Sequence, residues 1–395
     1  MKVFIADKLS DKTVTALKAL GAEVTVNTEL TTEQLGPAIG DNEILIVRSK
    51  KVNAAVIKAA PALSLIIRAG AGVNTIDLKQ ASAHGIHVAN CPGKNTDAVA
   101  ELAIGLLIAA DRRLVAATND LRAGKWDKKE YGKARGLKGR TLGIIGLGSI
   151  GKAVVKRAQG LEMKVIAWSR SLTAEKAKEL GIGYCSSPLE VAEQSNAVTI
   201  HLAAAAETDH LIGKEFLGKM KDGSILINTS RGEVVDTAAL KEVIKQKKLR
   251  VGLDVFENEP SANAVEFADK ELASMVTCTP HIGASTDQAS EAIADEVVRI
   301  IKAYKETGKP LNGVNIREKT SAHYSLVVRH YNRVGVLAGV LDELRNEGIN
   351  IEEMENTIFE DGLAASCSLK LDDKPSSKTT GKIAALANVI QVMLK

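Results

Sequence analysis

Short apolar runs alternate with amphipathic stretches from the first residues of the chain. VFIA (3–6), AEVTV (22–26), ILIV (44–47), LSLIIRAG (63–70) and IHVAN (86–90) read as strands, with helical patterns between them near 11–20, 31–39, 53–60 and 77–84. Strands alternating with helices predict a parallel sheet covered on both faces. The stretch DAVAELAIGLLIAADRRLVAATNDLRAG (97–124) interrupts this rhythm. As one helix it would span about 40 Å, enough to bridge two domains or to line a subunit interface.

A second βα series begins at Leu142 and runs to about Pro280, with strand candidates LGIIG, KVIAW, GIGYC, AVTIHL, SILINTS, RVGLDV and MVTCTP. A helix over 285–307 follows, then LNGVNIREKTSA, a polar stretch that reads as a linker. The last part starts again with SLVVRH (325–330) and a helix over 335–348. NIEEMENTIF, AASCSLKL, a helix near 378–385 and VIQVML complete it. This β-α-β-β-α-β order predicts a ferredoxin-like sandwich with no catalytic cluster of its own.

Composition narrows the class without changing the layout. A chain of 395 residues suggests two or three domains. With 45% hydrophobic and 25% charged residues it reads as an α/β protein, and with only 3% aromatics its cores must be built from Ala, Val, Ile and Leu. The net charge of +4 is mild and spread along the chain, which argues against a dedicated nucleic-acid surface and leaves room for a local anion site. Cys91, Cys185, Cys278 and Cys367 lie far apart, with no CxxC pair and no metal-ligand spacing, so buried thiols are expected and no metal site. The opening MKVFIADKLSDKT turns polar too soon for a signal peptide, and no apolar run approaches the ~20 residues of a membrane span. A cytoplasmic protein without a membrane partner is the expectation.

Chemistry enters at LGIIGLGSIGK (142–152), where an apolar strand gives way to a helix. Gly146 allows a tight turn, Gly148 lets a pyrophosphate approach the backbone, and Gly151 lets helix and strand pack closely. Ser149 and Ile150 open the helix, whose free N–H groups would face the phosphates. The alternative is a glycine-rich packing turn with no ligand. A carboxylate is expected about 20 residues further on, to hold the adenosine ribose. That place holds Ser169 and Arg170. Serine removes the repulsion that excludes a 2′-phosphate, and Arg170 would pair with that phosphate or stack on adenine.

Three later strands end in polar groups. SILINTS runs into Arg231, RVGLDV ends in Asp254 and continues to Glu259, and MVTCTP ends at His281. In a parallel sheet these carboxyl ends share the ligand-binding edge. The set fits hydride transfer at a secondary alcohol beside a carboxylate. Arg231 would clamp the carboxylate, His281 would take the hydroxyl proton, and Glu259 would stabilise the imidazolium. Asp254 would orient a nicotinamide carboxamide. A lone histidine after a strand is more often structural, but four complementary groups on one edge are harder to dismiss.

RAGAGVNTIDL (68–78), NTDAVAELAIGLL (95–107), GIIGLGSIG (143–151), NTSRGEVVD (228–236), GLDVFENEP (252–260) and TPHIGAST (279–286), in that order, resemble the D-2-hydroxyacid dehydrogenase family. The likeness is strongest to its branch that acts on 3-phosphoglycerate and carries a C-terminal ACT domain. It implies two Rossmann-like doubly wound domains, a discontinuous substrate domain (1–96 and 284–316) and an inserted NAD(P)-binding domain (97–283), with an ACT domain over 322–395. Carried over by position, the catalytic Arg, Glu and His fall on Arg231, Glu259 and His281. Thr229, Ser230, Asp254, Gly283 and Ala284 fall on cofactor contacts. NAD is the family's usual cofactor; the Ser169–Arg170 pair adds tolerance of NADP. Arg48 and Lys50 align with basic phosphate-side positions, Arg68 precedes the AGAGVN loop, and Asn74 would donate to the substrate carboxylate. Lys51 and Lys128 are further candidates, and the bland alternative for each lysine is a solvated surface charge.

The terminal segment carries HYNRVGVL (330–337) and GINI (348–351), which place His330, Asn332 and Asn350 on the effector positions of serine-inhibited relatives. Val334 stands where that pattern usually has proline. The resemblance therefore implies oxidation of 3-phosphoglycerate to 3-phosphohydroxypyruvate, with L-serine as effector. It also implies a homodimer through the segment after Asp97, or a homotetramer joined through ACT domains. An NADPH-dependent glyoxylate or hydroxypyruvate reductase is the nearest alternative. A cofactor-sensing corepressor is the alternative of another class.

Overall fold

The computed structural model describes residues 1–260, 266–317, 320 and 322–395, and it divides into two compact units, Met1–Asn315 and Ile316–Lys395. The first unit opens with a parallel sheet of β1 (Lys2–Ile5), β2 (Glu23–Val26), β3 (Ile44–Val47), β4 (Leu65–Arg68) and β5 (His87–Asn90), in the order β2-β1-β3-β4-β5. All four residues of β3 are buried, as a central strand with helices on both faces requires. One of those helices, Asp287–Thr307, comes from far downstream. It places Ile293, Val297, Ile300 and Ile301 in one core cluster with Val3, Ile5, Ile46 and Ile67. Full burial of each such side chain contributes about 1.5–3 kcal/mol, which is ample to hold a returning segment. The chain then runs back along β5, where the Val314 amide donates to Val88 O at 2.8 Å.

The expected helix over 97–124 is two helices, Thr96–Arg112 and Leu114–Arg122. Arg113 between them takes a left-handed backbone, φ 51°, which ends the first ladder. Its guanidinium bonds Glu130 Oε1 at 2.6 Å and the Glu130 carbonyl, and lies 5.0 Å from the Tyr131 ring centre. The first helix buries Ala100, Ala103, Leu106, Leu107 and Ala110, whereas the second buries nothing. Both halves are amphipathic and no Pro or Gly marks the junction, so the pattern alone gave no stop signal.

The second sheet holds β6 (Thr141–Ile145), β7 (Lys164–Trp168), β8 (Gly183–Tyr184), β9 (Ala197–Ile200), β10 (Ile225–Asn228), β11 (Arg250–Leu253) and β12 (Thr277–Cys278), all parallel. Its order, β12-β11-β10-β9-β6-β7-β8, runs outward from β6 on one side and from β9 on the other. GIGYC and MVTCTP shorten to two-residue strands because they are the two edges, each with a single neighbour.

The second unit contains β13 (Tyr324–Tyr331), β14 (Ile351–Ile358), β15 (Ala364–Leu371) and β16 (Val389–Leu394). They form an antiparallel sheet ordered β14-β15-β13-β16. Leu326, Val328, Cys367, Leu369 and Leu371 on one face meet Val340, Leu344 and Ile383 of two helices. The expected linker over 311–322 includes residues 318–319 and 321, which lie outside the described residues. Cys91, Cys185 and Cys367 are buried and Cys278 is exposed. No described helix is long and apolar enough to cross a membrane.

Candidate active site

Both sheets of the first unit are doubly wound, so each has a point where its strand order reverses, and ligands bind outside the carboxyl ends of strands there. In the second sheet that point lies between β6 and β9. Gly146, at the end of β6, has φ 94°, and a Cβ on it would sit 2.4 Å from the His201 carbonyl. A Cβ on Gly151 would meet the Gly146 carbonyl at 2.4 Å, while Gly148 faces open space. Gly148 caps the helix Ser149–Gly160 without a side-chain bond, so the helix start keeps free N–H groups. Thr229 Oγ1, after β10, and His201 Nδ1, after β9, are buried with no partner. Burial pushes the His201 pKa down to about 4, so the ring is a neutral hydrogen-bonding group. Room at Gly148, an uncapped helix and orphaned polar atoms fit a dinucleotide. Ser169 and exposed Arg170 follow β7, the neighbour of β6, and the Gly146 amide donates to Trp168 O at 2.9 Å.

Two of the polar groups that follow the strands, Glu259 and His281, are in contact. His281 Nδ1 and Glu259 Oε2 are 2.7 Å apart, so Nε2 is the ring nitrogen left for a substrate. The Glu259 bond raises the His281 pKa above its ordinary value; burial opposes this, and Asp254 adds to it. Burial alone would raise Glu259, but the His281 bond and charge bring it below the usual carboxylate range. His281 takes φ 52°, with its amide donating to Asp254 O at 2.8 Å.

Asp254 directly follows β11. It is 1% exposed, and its carboxylate accepts from Thr279 Oγ1 at 2.6 Å and from the Ile282 and Gly283 amides at 2.8 Å each. Three donors turned inward make it the organiser of the 279–283 turn that carries His281. Ala284 follows that turn, partly exposed.

Arg231 stands against the loop after β4. Its Nη1 donates to Ser230 O at 2.6 Å, and its Nη2 lies 2.5 Å from where a Gly72 Cβ would be, with Asn74 Oδ1 at 3.3 Å from the same point. Ser230 itself is held by Asn228, through Oγ at 2.8 Å and its amide at 3.0 Å. Arg68 has a buried Nε with no partner. Burial, then the nearby charges of Arg231 and Arg48, hold its pKa below the ordinary value. Arg48 follows Val47, which pairs with Arg68 across β3 and β4, so these two strand ends are neighbours beside the sheet's reversal between β1 and β3. There Asp7 accepts the amides of Arg48, Ser49 and Lys50 at 2.7, 3.0 and 3.0 Å.

Lys50 does not join them. Its ammonium is bound to the Thr28 and Leu30 carbonyls at 2.9 and 2.6 Å, because its long stem reaches a turn with unpaired oxygens. Lys51 and Lys128 are exposed.

In the second unit the three predicted effector residues do not meet within one chain. His330 is 2% exposed, its Nδ1 bonded to Tyr331 O at 2.8 Å and its Nε2 to Asn356 Oδ1 at 3.2 Å. Asn332 donates to Gly362 O at 3.1 Å. Asn350 leads into β14 beside Asp372, at the end of the sheet opposite His330, since β14 runs antiparallel to β15. Sequence reasoning missed His201 and Asn228, although each is the polar end of a strand, β9 and β10, on the ligand-binding edge.

Comparison with known proteins bears on the same residues. The model of the D-isomer specific 2-hydroxyacid dehydrogenase NAD binding domain matches residues 104–283. A D-3-phosphoglycerate dehydrogenase of Archaeoglobus fulgidus is 39% identical over 325 residues, covering 80% of this chain and 59% of that protein. A hydroxypyruvate reductase of Thermotoga maritima is 40% identical over 312 residues, covering 78% of this chain and 98% of that protein. A solved NADPH-dependent glyoxylate/hydroxypyruvate reductase from Sinorhizobium meliloti superimposes with a TM-score of 0.69 at 27% identity, over 81% of this chain and 99% of that one. The chain spans about three fifths of the length of the phosphoglycerate dehydrogenases it matches first.

Proposed function

The chain belongs to the D-isomer specific 2-hydroxyacid dehydrogenase family, with residues 104–283 in its NAD-binding domain, and from that membership we propose that it oxidises 3-phosphoglycerate to 3-phosphohydroxypyruvate. A bound nicotinamide dinucleotide supplies the hydride acceptor. His281 Nε2 takes the hydroxyl proton as the C2 hydrogen leaves with its electron pair, and returns it in the reductive direction. Glu259 fixes the tautomer that leaves Nε2 free and stabilises the imidazolium. Arg231 holds the substrate carboxylate through paired N–H groups, assisted by Asn74. Asp254 keeps His281 in place, and Thr229, Ser230 and the 146–151 turn hold the cofactor.

What supports the substrate assignment is that Arg48 and Arg68 stand at neighbouring strand ends, with Arg231 against the Gly72 loop that follows Arg68, since one guanidinium suffices for a carboxylate and the others ask for a further anion. Lys50 is left out of the set, because its ammonium is occupied elsewhere. The test is nicotinamide reduction with 3-phosphoglycerate beside unphosphorylated glycerate, each with NAD and with NADP. We expect phosphate to raise kcat/KM and both cofactors to serve; equal rates without the phosphate refute the assignment. Reduction of hydroxypyruvate or glyoxylate is the second reading, favoured by the 98% coverage of the Thermotoga protein, and preferential turnover of these would establish it. A corepressor role would leave the Glu259–His281 pair without a use.

The same reading takes residues 1–96 and 284–316 as the substrate domain and 97–283 as the cofactor domain. The exposed arm after Arg113, with Leu114, Val115, Leu121 and Trp126 at 48–81% exposure, would then be the dimer contact. Residues 322–395 would be an ACT domain binding L-serine between copies, where His330, Asn332 and the Asn350 of a second chain come together. Serine inhibition of the purified protein, with sedimentation to count subunits, tests both.

A further inference from the structure

A second histidine–glutamate pair lies just behind the first. Glu257 Oε1 is 2.8 Å from His210 Nε2, and its Oε2 accepts the Thr237 amide at 3.1 Å. His210 is itself fixed by its backbone. It takes φ 48°, and its amide donates to Glu233 O at 2.9 Å. The next residues continue that pairing, with the Ile212 amide on Val234 O at 3.0 Å and the Asp236 amide on Ile212 O at 3.3 Å. The strip 233–236 follows Arg231 directly, so His210 is tied to the segment that carries the substrate-side arginine.

Glu257 stands two residues before Glu259, in a short turn that closes on itself. The Phe256 amide donates to Glu259 Oε1 at 3.1 Å, and Glu259 Oε2 is the oxygen that meets His281. The other side of the turn rests on bare backbone. A Cβ on Gly232 would fall 1.9 Å from the Phe256 carbonyl oxygen, so the Arg231 and Glu259 segments pack back to back with nothing between them. A carboxylate held from two sides by His210 and Thr237 is therefore the lateral restraint on the turn. The Glu257 bond raises the His210 pKa above its ordinary value, burial opposes this, and the Glu257, Asp209 and Asp236 charges add to the rise.

We propose that His210 and Glu257 are positioning residues for the reaction: their hydrogen bond, with Glu257 anchored on the Thr237 amide, sets the 256–259 turn at the height that brings Glu259 to His281. Neither touches substrate or cofactor in this scheme. The inference rests on the Glu259–His281 pair being the acid–base couple proposed above.

The test uses the full chain and reads both turnover and the His281 ring. Glu257→Ala should lower kcat about tenfold, since displacements of about 1 Å at a reacting pair cost up to a hundredfold, and should leave KM little changed. Histidine NMR titration without substrate should show the His281 pKa falling toward its ordinary value. Glu257→Gln keeps one acceptor oxygen for the Thr237 amide but sets its NH₂ against His210, so it should recover only the part of each effect that the Thr237 bond supplies. His210→Ala, made from the other side, should reproduce the shift if Glu257→Ala fails to fold. An unmoved His281 titration and unchanged kcat in either folded variant overturn the proposal. If the wild-type chain turns over no 2-hydroxy acid, the functional reading fails, while the titration still decides whether Glu257 positions Glu259.

Discussion

Replacing Glu259 by glutamine removes one charge and keeps an acceptor in nearly the same place. The bond to His281 is 2.7 Å long, and a hydrogen bond to a charged group contributes about 1.5–3 kcal/mol. The two side chains retain 48% and 33% of their exposure, so solvent screening removes roughly half of that. About 1 kcal/mol remains, and its loss lets the His281 pKa fall toward its ordinary value. The Asp254 and Arg231 charges act on the ring in opposite senses and survive the substitution.

Oxidation needs the neutral imidazole, so kcat/KM for the hydroxy acid rises with pH through the His281 pKa. The raised wild-type value places that limb above the ordinary histidine value, and E259Q moves it down. Reduction needs the imidazolium and loses rate as pH rises through the same pKa, so its limb moves down too. The plateau falls by about 10²–10³, because an amide can turn its NH₂ to Nδ1 and leave Nε2 protonated. The same pair affects stability: its contribution is full below the unfolded histidine pKa and is lost as pH rises through the raised folded value. Initial rates in both directions at constant ionic strength, across neutral and alkaline pH, measure the limbs. A limb that stays in place, or a plateau within threefold of wild type by the tenfold-per-1.4-kcal/mol rule, refutes the assignment.

Three further outcomes test other parts of the site and its frame. Asp111 is 1% exposed, with Arg140 at 2.9 Å, the Gly136 amide at 3.0 Å and Arg250 at 4.0 Å. D111A should cost about 3–5 kcal/mol in urea unfolding, and a loss below about 1 kcal/mol contradicts a buried ion-pair hub. G72A places a methyl 2.5 Å from Arg231 Nη2, the mobile end of a long side chain. Stability should hold while KM for the hydroxy acid rises about tenfold, the loss of one charge-assisted bond, and an unchanged KM removes Arg231 from the carboxylate. S169D should raise the kcat/KM ratio of NAD over NADP by about tenfold or more through repulsion of the 2′-phosphate, and an unmoved ratio shows that this position does not read the ribose.

The local pattern of the sequence determined what local physics controls. Alternating apolar and amphipathic runs specified two parallel sheets and one β-α-β-β-α-β unit, because burial on both faces or on one leaves a readable period. The turn at Gly146 and the polar ends at Arg231, Asp254 and His281 were legible because a parallel sheet sends all its carboxyl ends to one edge, whatever the rest of the chain does. Only the tertiary structure decided which partner each side chain takes. Arg113 leaves the helix for Glu130 and Tyr131, Lys50 turns to the Thr28 and Leu30 carbonyls, and Asp254 faces inward to hold the 279–283 turn. His210 and Glu257, 47 residues apart, meet behind the Glu259 turn. A long or charged side chain has many reachable partners, and the choice among them rests on where distant segments come to lie, which no period along the chain encodes.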